Sequence, residues 1–279
     1  MKCQVWLCCL VLWGCGRAPD RHVTQPLSEG LLSVAQEWGE ADAAQAERAR
    51  TELDRIAEQI RNAAARAPDK PGRNVLVETL FGPQGFVREV DDHDLGFVLL
   101  PKVLENHRGS CVGLGTLVLA LAERLGWQAR GVIVPGHFFV RFTEHGVPHN
   151  LELLRRGEEM SDAWYASRWP IPGASARAYA RELTLDEVRG VVEFDIGNER
   201  KRQRRLREAE QAYDRARRHF PDFAEAHASA GAVAQLLGAF DRAHSAYRAA
   251  QRANPNLPGL DQNLELLESE RRAESSQRD

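Results

Sequence analysis

At 279 residues, with 40 acidic against 37 basic side chains and a formal net charge of -3, the chain lacks the basic excess of a nucleic-acid-binding domain. Its 43% hydrophobic and 28% charged residues are ordinary for a globular protein. Beyond the extreme N-terminus no apolar run reaches the roughly 20 residues a membrane helix requires, and the length gives room for one mid-sized core plus a smaller module.

Residues 1–14 have a positive start (Met1-Lys2), an apolar stretch over 5–13 and then small residues, the pattern of a secretory signal. The sequence Leu12-Trp13-Gly14-Cys15 resembles the lipobox of bacterial lipoproteins, in which the cysteine becomes the lipidated N-terminus. On that reading Cys15 anchors the protein in the cell envelope, on a membrane and facing the periplasm. Trp13 is bulky for such a site, so a plain signal peptide or an uncleaved anchor stays open. Residues 15–28, polar and with Pro19 and Pro26, read as a tether.

From 28 to 66 the apolar residues Ala49, Leu53, Ile56, Ile60 and Ala63 recur at helical spacing, and Pro68-Asp69-Lys70-Pro71-Gly72 ends the segment. Residues 73–107 are mixed. The run Asp91-Asp92-His93-Asp94 has cation-binding side chains without the spacing of a known metal loop, so it is read as a surface turn and no metal is expected.

Residues 110–126 carry the strongest helix signature. Ser110 suits the N-cap, Leu114, Leu117, Leu121 and Leu125 form a stripe, and Gly126 suits the stop. Gly113 and Gly115 each weaken a helix by about 1 kcal/mol relative to alanine, which is tolerable where something must approach the first turn closely. Residues 127–154 then change to strand rhythm, with Glu144-His145-Gly146 as the hairpin turn. A two-residue turn there puts His137, Asn150 and Glu152 on one sheet face; a bulged turn reverses the parity.

Residues 190–257 hold an internal repeat. Gly231, Ala243, Tyr247, Ala250 and Pro255 align, at an offset of 34 residues, with Gly197, Ala209, Tyr213, Ala216 and Pro221. The period and residue types resemble tetratricopeptide repeats, which are helix–turn–helix units. Residues 258–271 read as a capping helix and 272–279 as a frayed, disordered tail. The basic run from Arg200 to Arg207 reads as a solvated inter-helix segment, with anionic lipid headgroups as the other possibility.

Of five cysteines, only Cys111 lies outside the first fifteen residues. It opens the 110–126 helix, where first-turn amides and the helix dipole favour a thiolate. His137, 26 residues later, is a candidate general base, and Asn150 or Glu152 a candidate orienting partner. Amides around Cys111 could supply part of an oxyanion hole.

The stretch Val103-Leu104-Glu105-Asn106-His107-Arg108-Gly109-Ser110-Cys111, continuing to Gly126, and the later Pro135-Gly136-His137-Phe138-Phe139-Val140-Arg141 resemble the transglutaminase-like superfamily, and more narrowly its SirB-type bacterial branch, often joined to tetratricopeptide repeats. The resemblance implies an α+β, papain-like core of helices packed on a small antiparallel sheet, followed by an all-α repeat module. It implies Cys111 as nucleophile, His137 as base, and Glu152 at the usual aspartate position, with Asn150 echoing a Cys-His-Asn arrangement. The expected organisation is a signal peptide over 1–14, a tether over 15–28, a transglutaminase-like domain over 29–183, a repeat module with capping helix over 184–271, and a tail over 272–279. The expected activity is cysteine-dependent amide acyl transfer on a protein or peptide, hydrolysis favoured over transamidation, without a cofactor or metal. The competing expectation is a catalytically silent envelope protein that binds partners through its repeats; redox sensing through Cys111 ranks last, since no resolving cysteine is evident.

Overall fold

The computed structural model describes residues 25–89, 94–173 and 177–278. The expected signal segment, the lipidation candidate Cys15, most of the tether and most of the acidic run before Asp94 lie outside the described residues.

The single helical stretch expected over 28–66 is two helices, α1 (Leu27–Glu37) and α2 (Ala43–Arg66). Gly39 takes a left-handed φ of 70° between them. Asp42 then starts α2 with a reciprocal cap, its carboxylate accepting from the Gln45 amide at 2.7 Å while the Gln45 side chain accepts from the Asp42 amide at 2.9 Å. Next come α3 (Gly72–Phe81), β1 (Val87–Arg88), α4 (Leu100–Asn106) and β2 (Arg108–Gly109), the two short strands pairing in parallel.

The helix α5 (Cys111–Leu125) is the central post of the core. Ser110 Oγ accepts from the Gly113 amide at 3.2 Å, and Gly126 ends the helix at a φ of 72°. The two glycines that weaken α5 have a steric reason. A side chain at Gly113 would collide with the Phe97 carbonyl oxygen, and one at Gly115 would collide with the ring of Phe138. Near its other end, Glu123 accepts hydrogen bonds from the Leu27 and Ser28 amides at 2.7 and 3.2 Å, satisfying the start of α1 with a carboxylate.

The sheet is a meander of β3 (Ala129–Val134), β4 (His137–Glu144), β5 (Val147–Glu152) and β6 (Glu158–Met160), antiparallel throughout. The β3–β4 turn is Pro135-Gly136, with Gly136 at a φ of 72°; the β4–β5 turn is His145-Gly146, with φ of 50° and 79°. Both are two-residue turns, the tight geometry that sets strand register. One sheet face packs on α5, and the other is covered by α6 (Asp162–Arg168).

Five helices complete the described chain: α7 (Leu185–Arg202), α8 (Leu206–His219), α9 (Ala224–Leu236), α10 (Phe240–Ala253) and α11 (Leu260–Arg278). The repeated residues make repeated packing. Gly197 admits the ring of Tyr213, and Gly231 admits that of Tyr247 in the same way. Ala209, Ala216, Ala243 and Ala250 are completely buried where helices cross. The terminal helix runs past 271, where a tail was expected to begin, because its polar Glu, Arg, Ser and Gln residues are compatible with helix.

The helical module packs directly on the preceding domain. The boundary at 183/184 marks the N-cap of α7 at Thr184 and not a gap in packing. Val188, Val191, Val192, Ile196, Phe220 and Phe223 belong to the same buried cluster as Leu53, Leu117 and Phe138. The basic run is largely exposed where α7 gives way to α8, as a solvated inter-helix segment should be, with Arg200 as the exception. Arg200 is buried against Glu40 and Glu208, and Arg202, Arg205 and Arg207 pair with Glu199, Glu208 and Glu210.

A buried carboxyl helps join the two parts. Glu193 of α7 accepts a 2.7 Å hydrogen bond from the Trp38 indole, and burial pushes its carboxyl up to about 7. Raised from 4.5 when unfolded, this group stabilises the fold fully below pH 4.5 and loses that contribution as pH rises through about 7. Glu193→Gln keeps an acceptor for the indole and never ionises. Its thermal unfolding is therefore expected to exceed wild type at pH 8, by on the order of 2 kcal/mol, with the difference shrinking toward pH 5; an unchanging difference across that range would remove Glu193 as the source.

Candidate active site

Chain geometry puts Cys111 and His137 at one end of the sheet. Cys111 is the first residue of α5, fixed there by the Ser110 cap, and is buried. His137 is the first residue of β4, directly after the Pro135-Gly136 turn, and pairs with Val134. Both line a cavity of about 260 Å³, together with Val112, Ile133, Val134, Gly136 and Phe138.

The imidazole is held by a hydrogen bond and by a stacked ring. His137 Nε2 lies 2.6 Å from Glu152 Oε2, a contact between two side chains that are both almost fully buried. The other Glu152 oxygen accepts from the Leu154 amide at 3.0 Å. The Trp169 ring stacks on the imidazole at a centroid separation of 4.1 Å and an angle of 6°. Tyr165 lies beyond, itself stacked on Phe139 at 3.8 Å, and its phenol is pushed strongly upward by burial and the Glu152 charge. A buried carboxylate in a low-dielectric site has to be compensated, and here an imidazole and a backbone amide do so.

The two candidates for the third position separate cleanly in space. Both share the sheet face of His137, as a two-residue turn requires. Asn150, however, is paired with Arg141, further along β4. Its carbonyl accepts from Arg141 Nε at 2.7 Å, and its amide donates to Asp162 at 2.7 Å and to the Met160 carbonyl at 3.2 Å. That is a clip across β4, β5 and the start of α6. Two residues along a strand span roughly 6.8 Å, which is the difference between reaching the imidazole and not.

The opposite wall of the cavity comes from residues that sequence reasoning did not single out. Val191, Phe194, Asp195 and Asn198 of α7, Phe223 and Glu225 beside and within α9, and Tyr179 from the segment before α7 complete the lining. The Tyr179 segment runs along β3, its backbone bonding to Ile133 and Gly131 through the Ala180 and Leu183 amides at 2.8 Å. Among the described residues no cluster of His, Cys, Asp and Glu is arranged to hold a metal ion, and no helix is long and apolar enough to cross a membrane.

Glu152 uses both oxygens as acceptors, whereas a glutamine offers one. With its one oxygen kept on the Leu154 amide, Glu152→Gln can meet the imidazole only through its NH2 group, which forces the ring into the Nδ1–H tautomer and replaces a charge-assisted bond by a neutral one. The expected loss in unfolding free energy is about 1 kcal/mol, read as a lower urea midpoint at unchanged slope; a midpoint equal to wild type would show that the negative charge of Glu152 is not needed for these bonds.

A comparison with curated proteins finds no match. The span that contains Cys111, His137, Asn150 and Glu152 does match a family: residues 47–184 form a domain of the transglutaminase-like superfamily.

Proposed function

We propose that this protein is a cysteine-dependent amide acyl-transfer enzyme of the SirB-type branch, acting on a protein or peptide, with hydrolysis favoured over transamidation. The observation that carries this reading is the single cavity lined by Cys111 and by a histidine whose Nε2 is already engaged by Glu152. That engagement leaves Nδ1 as the nitrogen available to the sulfur and fixes the ring's orientation.

The chemistry follows in balanced steps. The sulfur of Cys111, its proton passed to His137, attacks the amide carbon and forms a C–S bond. The negative oxygen of the tetrahedral intermediate is met by first-turn amides of α5. Collapse breaks the C–N bond, and the imidazolium returns its proton to the departing amine. Water, or a second amine, then attacks the thioester with His137 as base, releasing the acyl product and restoring the thiol. Glu152 serves as the positioning residue for the imidazole throughout.

In this reading the resemblance of the helical region to tetratricopeptide repeats describes a wall of the site more than a separate partner-binding array, since residues of α7 and α9 line the same cavity as the thiol. The residues around Cys15 support placement on a membrane of the bacterial cell envelope, facing the periplasm. Metabolic labelling with a palmitate analogue is expected to mark the protein and to be lost in Cys15→Ser; labelling that persists, or never occurs, rejects the anchor.

The catalytic reading is tested on the thiol itself. Intact-mass measurement across a pH series of iodoacetamide is expected to show Cys111 modified rapidly well below pH 8, with the rate reduced at least tenfold in His137→Ala. Slow modification that follows an ordinary thiol titration, unaltered by that substitution, would reject it.

A further inference from the structure

Two residues of the cavity lining each carry a buried polar atom with no hydrogen-bond partner among the described residues: Glu225 at Oε2 and Tyr179 at its phenolic oxygen. Buried polar atoms are nearly always satisfied, and each exception calls for an explanation. Both residues belong to the lining that includes Cys111 and His137, and neither bonds the other. The described side chains include many arginine–carboxylate pairs, yet no arginine or lysine lines this cavity. Its charged roof residues are Asp195 and Glu225, both acidic. Burial pushes the Glu225 carboxyl up to about 7, so an incoming positive charge would be welcome there.

The rest of the roof suits the same guest. Val191, Phe194 and Phe223 add apolar lining to the same cavity as the acids and the thiol. A lysine or arginine side chain has this division, an apolar stem and a charged head. At about 260 Å³ the space is below the roughly 300 Å³ at which small-molecule pockets begin, so it takes one side chain and not an extended segment.

We propose that Glu225 and Tyr179 form a specificity subsite for a cationic side chain, ammonium or guanidinium, carried by the substrate next to the amide that Cys111 attacks. This deepens the acyl-transfer reading and rests on it for the identity of the reacting group. The subsite itself lies partly outside the family-matched span: Tyr179 is within residues 47–184, whereas Asp195 and Glu225 come from the helices that follow. Selectivity is thus supplied by the helical module to a nucleophile that the preceding domain holds.

The test uses the full chain and three iodoacetamides of matched length, bearing a butyl, an aminobutyl or a guanidinobutyl tail. Labelling of Cys111 by at least one cationic reagent is expected to exceed that by the butyl reagent about tenfold, and the ratio is expected to fall to near one in Glu225→Gln and to decline in Tyr179→Phe. Whichever tail gives the larger ratio identifies the head group. A parallel titration of Cys111→Ala with butylguanidinium, butylammonium and butanol reads binding without the thiol, and Glu225-dependent binding of a cation alone is expected. Equal labelling by all three tails, or a ratio untouched by Glu225→Gln, overturns the subsite even when His137-dependent labelling persists. Conversely, slow labelling indifferent to His137→Ala, together with Glu225-dependent cation binding, overturns the nucleophile and leaves the subsite standing.

Discussion

The approach of α5 to its surroundings sets the positions of the other site components. A helix carrying side chains at 113 and 115 could not sit where α5 sits, because the Phe97 carbonyl and the Phe138 ring occupy those spaces. Phe138 also presses on Gly131 of β3, so one ring is wedged between glycines of the helix and of the neighbouring strand. His137 is the residue immediately before that ring. Packing of Phe138 therefore places the histidine's backbone relative to the helix that begins with Cys111, and the tight turn at Pro135-Gly136 removes the remaining freedom. Interiors at crystal-like density transmit such constraints with little slack.

Around this scaffold the polar groups divide their labour. Glu152 and Trp169 hold the imidazole, one by hydrogen bond and one by stacking, while Asn150 and Asp162 hold Arg141 and tie the sheet edge to α6. Both sets lie on one sheet face, and their separation along the strand keeps the structural clip out of the chemistry. Buried acids recur away from the thiol as well. Glu193 joins α7 to the end of α1, so the helical module and the preceding domain meet through a carboxyl as well as through apolar side chains.

Much of this was legible in local pattern. The caps of α5, the two-residue turn at 145–146 and the parity placing Glu152 with His137 depend on a few consecutive residues, and each appears as those residues imply. The repeat was equally readable, since a glycine opposite a tyrosine recurs with its period. The break at 38–42 was hidden because apolar spacing continues on either side, and only Gly39 and Asp42 mark it. Choosing between Asn150 and Glu152 required strand register, which parity alone does not give. Tyr179, Asp195 and Glu225 were out of reach for a different reason: they stand far from Cys111 in sequence and meet it only through tertiary packing. The isolated Glu225 looks like any other surface acid in a helical repeat.

The continuity of the core across residue 184 has a consequence for how the protein comes into being. A chain emerging from the N-terminus presents its thiol and histidine long before Glu225 is made. Until α7 and α9 dock, the cavity has no roof, and Val191, Val192 and Phe220 have not yet covered their part of the apolar interior. The pocket around the thiol is thus completed only by helices made after the strands that carry His137 and Glu152.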